Sequence, residues 1–113
     1  MKLNVLERIM VLNIIAEYRE GNIATFRMIT AIKSKLPLTE EEIKEFDFKT
    51  EEGNFKWNDK GKEFKEFEFT EGETKLIKEQ LEKLNKVDKL TLNHFSLYYK
   101  FVEPELIPEQ PIS

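Results

Sequence analysis

The hydrophobic pattern at the start of the chain has a helical period. Residues 3–19 carry a wide apolar stripe, and Glu7 and Arg8 mark the wetter side of the predicted helix. Val11 and Ile15 also fall on that wetter side. A helix that is apolar on both sides lies at the centre of a bundle or forms part of a homodimer interface, and the pattern leaves both interpretations open.

Two further helices are predicted before residue 47. Apolar residues recur three or four positions apart over residues 23–35, and Pro37 ends this second helix. Thr39 and Glu42 then form a Thr-x-x-Glu capping box, which is typical of a helix start. The box predicts a short third helix over residues 40–46.

The period then changes from helical to alternating, which predicts β-strands. Glu52-Gly53-Asn54 is a turn sequence, and the flanking strands place Phe48, Phe55 and Trp57 on one face. A third strand is predicted over residues 63–69, with its glutamates on the outer face. We therefore expect a three-stranded antiparallel meander whose aromatic face packs against the helices.

The last third of the chain returns to a helical pattern. A second capping box, Thr70 and Glu73, opens a predicted helix over residues 71–86. A final helix is predicted over residues 91–102, with Leu92, Phe95, Tyr99 and Val102 along its buried face. Three prolines then exclude a regular helix after residue 103.

Together these elements predict an α+β fold. Three N-terminal helices in a winged-helix-like order precede the three-stranded antiparallel meander, and two C-terminal helices follow. A chain of 113 residues is long enough to bury a core of its own. We expect a single domain over residues 1–103 and an extended, Pro-containing tail over residues 104–113.

The composition limits the chemistry. The chain has no cysteine, a single histidine and isolated glycines, so it offers no thiolate nucleophile and no glycine-rich phosphate loop. His94 and Ser96 are two residues apart on a predicted helix and point in different directions. No apolar run is long enough to cross a membrane. We predict a cytoplasmic protein that is not an enzyme, with no cofactor, no metal and no membrane partner.

Charge is unevenly distributed along the chain. Residues 1–38 carry a net +3, residues 39–73 a net −7 and residues 74–113 a net charge of zero. An acidic block of this kind attracts basic protein surfaces and repels nucleic acid, although it can also serve solubility alone. The candidate protein-binding residues are Glu40, Glu41, Glu45, Glu51, Glu52, Glu66 and Glu68.

The order of the second helix, third helix and hairpin also suggests a winged helix, in which the third helix would enter the major groove of DNA. Here that helix carries four glutamates and one lysine over residues 40–45, which opposes binding to phosphates. Basic residues elsewhere could form a weak patch: Arg8, Arg19, Arg27, Lys33 and Lys35. Direct binding of nucleic acid is therefore the less favoured alternative.

Read from end to end, the chain resembles small uncharacterised proteins encoded by bacteriophages and prophages. The residues that carry the resemblance are Leu6-Glu7-Arg8 with Ile14-Ile15, Gly21-Asn22-Ile23, Leu38-Thr39-Glu40-Glu41-Glu42, Trp57, Leu90-Thr91-Leu92 and Tyr99-Lys100-Phe101-Val102-Glu103. The resemblance implies a phage accessory protein in the host cytoplasm, with no activity to transfer. The leading hypothesis is a module that binds a host or phage protein. The alternatives are a winged-helix-like regulator that binds nucleic acid and a virion structural or assembly component.

Overall fold

The computed structural model describes residues 1–103 and shows an α+β architecture. In chain order the elements are strand β1 (Lys2–Leu3), helices α1 (Val5–Ile15), α2 (Ile23–Lys35) and α3 (Glu40–Glu45), strands β2 (Lys49–Glu51) and β3 (Asn54–Lys56), a 3-10 turn (Asp59–Lys62), strand β4 (Lys65–Glu66), helix α4 (Glu71–Lys86), a second 3-10 turn (Leu92–His94) and helix α5 (Phe95–Phe101). The tail predicted over residues 104–113 lies outside the described residues.

Helix α1 is the centre of the fold, and its buried side differs from the prediction. Val11 is 0% and Ile15 is 1% exposed, and both lie in the hydrophobic core among residues of α2, α4 and α5. Glu7 and Arg8 are buried on the same helix, so the side predicted to be wetter faces the interior. Since Val11 and Ile15 are already covered within the protomer, they are not available for the predicted homodimer contact.

Helices α2 and α4 begin and end at the predicted residues, because their signals are local. The Asn22 side chain accepts a hydrogen bond from the backbone N–H of Thr25 and caps α2. Thr70 and Glu73 form both bonds of the capping box that opens α4. Ile32 of α2 and Ile77 of α4 are fully buried in the shared core.

The predicted three-stranded meander is wrong. The described chain forms two separate two-stranded antiparallel sheets, one of β2 with β3 and one of β1 with β4. The strand predicted over residues 63–69 is reduced to β4, which pairs Lys65 with Leu3 and Glu66 with Lys2. The 3-10 turn between β3 and β4 redirects the chain, so β4 meets the N-terminus and not the hairpin.

Helix α5 also presents a different face from the one predicted. Leu97 and Phe101 are buried, whereas Leu92 is 90% and Phe95 is 54% exposed. The chain enters this region through a 3-10 turn, which has fewer residues per turn than an α-helix. The change of period rotates the following α-helix relative to the continuous helix that the sequence pattern suggested.

Candidate protein-binding surface

Helix α3 is fixed to the rest of the protein by one buried ion pair. Arg8 Nη1 and Nη2 donate to the two carboxylate oxygens of Glu42 at 2.8 and 3.1 Å. Arg8 also donates to the backbone carbonyls of Leu36 and Pro37, and its guanidinium lies 5.0 Å from the centre of the Phe67 ring. All three guanidinium nitrogens of Arg8 therefore donate hydrogen bonds, and the side chain joins α1 to the start of α3.

The surroundings of Glu42 favour its charged form. The hydrogen bonds from Arg8 have the largest effect on the pKa of the Glu42 carboxyl, which is lowered to about 2. Burial acts in the opposite direction, and the hydrogen bond from the Thr39 backbone N–H lowers the pKa further. Glu42 is thus a structural residue, although it belongs to the run of three glutamates that opens α3. It is held inside as a carboxylate at neutral pH.

With Glu42 turned inward, the remaining acids of α3 face solvent. Glu40, Glu41 and Glu45 are exposed, and none of them forms an ion pair with a residue in the described part of the chain. Ile43 is 41% exposed on the same short helix. The outer face of α3 is therefore acidic, with one apolar side chain among the carboxylates.

The β2–β3 hairpin projects from the body of the protein. All six residues of its strands are exposed. Glu52 and Gly53 form its two-residue turn with positive φ angles of 48° and 81°, as in the type I′ turns that suit hairpins. Glu51 and Glu52, two of the predicted binding residues, therefore lie at the tip.

An aromatic row, Trp57–Phe48–Phe55, runs along one face of the hairpin. The Phe48 ring stacks on Trp57 with 6.2 Å between ring centres and on Phe55 with 5.5 Å. Trp57 packs closely over Gly61 beside Val5, and Phe55 is 49% exposed. The row thus begins against the protein body and ends in solvent. The prediction that these three rings share one face is confirmed, but the face is not covered by the helices as expected.

Helix α3 and the hairpin are joined by hydrogen bonds. The backbone N–H of Phe48 donates to the Ile43 carbonyl at 2.9 Å, and that of Asn58 donates to the Phe46 carbonyl at 2.8 Å. The Asn58 side chain also donates to the carbonyl of Glu45. We call residues 40–56 the α3–hairpin surface. It gathers five of the seven predicted binding residues, which are Glu40, Glu41, Glu45, Glu51 and Glu52.

The other two predicted binding residues, Glu66 and Glu68, lie outside the α3–hairpin surface. Glu66 belongs to β4, and its carboxylate lies 3.2 Å from the N-terminal amine. Glu68 follows that strand, and its backbone carbonyl accepts a hydrogen bond from Lys35. Both glutamates are exposed, but the split of the sheet separates them from the hairpin, beside which they were predicted to lie on a third strand.

Three buried glutamates each close a capping box and bind a cation from another element, although only the capping boxes of Glu42 and Glu73 were predicted. Glu7, Glu42 and Glu73 each close a capping box at the start of a helix. Each also binds a cation from another element: Lys100 for Glu7, Arg8 for Glu42 and Lys35 for Glu73. The signal for Glu7 was its position three residues after Asn4, which makes it the third glutamate to close such a box.

These ion pairs also reduce the proposed basic patch. Arg8 is buried against Glu42, and Lys35 binds Glu73 at 2.9 Å. Arg19, Arg27 and Lys33 remain exposed. A basic surface built from all five residues is therefore not present in the described structure.

His94 is largely buried, with 9% of its surface exposed. Its Nδ1 accepts a hydrogen bond from the Thr91 backbone N–H at 2.9 Å, and burial lowers the pKa of its imidazole. Ser96 donates instead to Glu7 at 2.8 Å. His94 borders a cleft of about 690 Å³ between α1 and α4, which Ile14 and Leu84 also line.

Within residues 1–103, no group of three or more acidic or histidine side chains is arranged to hold a metal ion. Over the same residues, no helix has the length and apolar character needed to cross a membrane. Comparisons with protein-family models, with curated proteins and with solved structures find no match.

Proposed function

We propose that this protein is a non-enzymatic module that binds another protein through the acidic α3–hairpin surface. The observation that carries the proposal is that Glu40, Glu41 and Glu45 are exposed beside an exposed hairpin and form no ion pair with a cation among the described residues. Carboxylates in this position attract a basic partner and set its orientation.

Apolar side chains within the acidic surface support a protein partner over simple solubility. Ile43 and Phe55 are 41% and 49% exposed in residues 40–56. Protein interfaces combine apolar and aromatic anchors with a polar rim, whereas a surface that serves only solubility needs no such anchors. By the resemblance to phage and prophage proteins, we further propose a phage accessory protein whose partner is a host or phage protein in the host cytoplasm.

The proposal is tested by capture from a nuclease-treated lysate with the full chain as bait. A variant with Glu40→Lys, Glu41→Lys and Glu45→Lys is compared with a control that reverses Glu17, Glu20 and Glu79, three exposed glutamates on other elements. We expect one protein in stoichiometric amount, bound by the wild type and the control, lost in the α3 variant and released by salt. Equal capture by both variants would contradict the proposal.

A winged-helix-like regulator that binds nucleic acid is the alternative. The order α2, α3 and hairpin favours it, but the outward face of α3 carries carboxylates that repel phosphates. This alternative predicts a salt-sensitive shift of duplex DNA at low salt, and we expect none. A virion assembly component is a further alternative that predicts a discrete homo-oligomer, which sedimentation at high concentration would detect.

A further inference from the structure

The hairpin has the features of a sheet that another strand completes. Each of its strands is three residues long and fully exposed. An isolated two-stranded hairpin is marginally stable in water, and sheets become independently stable with three or more strands. The hairpin therefore depends on contacts outside its own two strands, such as the hydrogen bond from Phe48 to Ile43.

The register leaves the backbone hydrogen-bonding groups of Thr50 open on the outer side of β2, next to the Phe48 N–H that donates to the Ile43 carbonyl. Glu51 pairs with Asn54 beside the two-residue turn, so these residues exchange backbone hydrogen bonds, and the next pair, Thr50 with Phe55, does not. The backbone N–H and C=O of Thr50 therefore point away from β3. They form an unpaired edge of the kind to which an extended segment of another chain adds.

Charge indicates the kind of segment that would fit. Residues 40–56 carry seven acids and three lysines. Arg8 neutralises Glu42 inside, and Lys49 and Lys56 pair with Asp47 and Glu51, so the acids without an ion-pair partner among the described residues are Glu40, Glu41, Glu45 and Glu52. The open edge also lies beside the stacked rings of Phe48 and Phe55, whose faces attract guanidinium and ammonium groups. A segment with basic residues at alternate positions would meet carboxylates and aromatic rings together.

We infer that the hairpin docks an extended, arginine- or lysine-bearing segment of a partner protein as a third strand along β2. This inference rests on the proposed protein-binding function and assigns its partner's chemistry and binding mode. The backbone of the segment would bond to Thr50, and its basic side chains would contact the aromatic row and Glu52 at the hairpin tip, since Glu51 already pairs with Lys56.

The probe is a capped hexapeptide of alternating arginine and valine, titrated into the full chain at low salt. Trp57 is the single tryptophan and lies at the base of the aromatic row, so its fluorescence reports binding. We expect a saturable change in emission and slower hydrogen exchange at the Thr50 amide. The same peptide with glutamate in place of arginine should not bind.

Thr50→Pro is the decisive variant, because proline removes the outward N–H while leaving the Glu51–Asn54 pair in place. We expect affinity to fall roughly tenfold, as for the loss of one or two backbone hydrogen bonds. Amide spectra of the variant verify that the hairpin persists. A second variant, Phe55→Ser, tests the aromatic contact without altering that N–H.

Equal affinity of wild type and Thr50→Pro for the peptide would overturn strand addition, and so would an absence of binding at millimolar peptide. These failures are separable from failure of the proposed function. If lysate capture still depends on Glu40, Glu41 and Glu45 while the peptide does not bind, only the strand inference is wrong. If the peptide binds but capture ignores those glutamates, the proposed role of the α3 face is wrong.

Discussion

At the scale of single residues, the fold depends on a few positions where a larger side chain would not fit. Gly61 is the clearest of them. A Cβ atom built at Gly61 would lie 2.5 Å from Trp57 Cδ1 and 3.2 Å from Val5 Cγ2. The absence of a side chain there lets Trp57 lie against the body of the protein and support the aromatic row of the hairpin.

Gly61→Ala should therefore displace Trp57 and lower the free energy of unfolding by about 1–3 kcal/mol, the usual effect of overpacking. Trp57 emission should shift to longer wavelength, and the melting temperature should fall. Gly21→Ala is the matched control, since its Cβ would meet Thr25 at an ordinary 3.4 Å. Equal effects of the two substitutions would show that the close contact at Gly61 is not what holds Trp57.

The hairpin tip gives a second prediction at this scale. Glu52 adopts a positive φ of 48°, a conformation that asparagine and glycine adopt more readily than glutamate. Glu52→Asn should thus raise the free energy of unfolding by about 1 kcal/mol, because the left-handed conformation costs ordinary residues about 1–2 kcal/mol and asparagine less, and chemical denaturation measures the gain. Glu51→Asn, one residue earlier in β2, should give no gain. A loss of stability in Glu52→Asn would contradict the turn geometry.

At the scale of elements, the Arg8–Glu42 pair determines how α3 is held. Removing one member of a buried ion pair leaves the other charge uncompensated, which costs about 3–5 kcal/mol. Arg8→Met should lower stability by that order, with Arg27→Met on the exposed side of α2 as the control. Denaturation curves compare the two, and similar stabilities would mean that the pair does not anchor α3.

The same pair predicts a pH dependence. The folded pKa of Glu42, about 2, is below its ordinary value of 4.5, so its contribution is complete above pH 4.5 and is lost as pH falls toward 2. A difference of this size corresponds to about 3 kcal/mol. Glu42→Gln should flatten the decline in stability between pH 4.5 and 2. Glu41→Gln, on the exposed side of α3, should retain the full decline.

The elements also show which parts of the fold the sequence could predict. The bounds of α2 and α4 were correct because caps and helical periodicity act within a few residues. The β1–β4 pairing joins Lys2 to Glu66, and no local pattern reports contacts across such a separation. Glu7 and Arg8 were assigned to a wetter side for the same reason: their partners, Lys100 and Glu42, are 93 and 34 residues away.

Part of the α3–hairpin surface could also be predicted from the sequence. The exposed acids of α3 followed from the capping box, which identified where the helix begins. Two features did not follow. The sequence pattern could not show that Glu66 lies on a separate sheet with Glu68 just after it, or that the aromatic row stays partly in solvent, since both depend on where the chain turns after β3.

At the scale of the whole molecule, charge is divided between inside and outside. The three capping-box glutamates bind cations that join distant elements, while the other glutamates of α3 and those of the hairpin tip remain at the surface. The helical core of α1, α2 and α4 thus acts as a support from which the α3–hairpin surface projects. We propose that this projecting surface is where a partner protein binds.

Hydrogen exchange of the full chain, with and without the protein captured from lysate, tests whether the partner binds at the α3–hairpin surface. We expect slower exchange on binding at the amides of α3 and of the β2–β3 hairpin, and unchanged exchange along the cleft between α1 and α4. Protection confined to that cleft or to the β1–β4 sheet, with exchange in α3 and the hairpin unchanged, would contradict binding at the α3–hairpin surface.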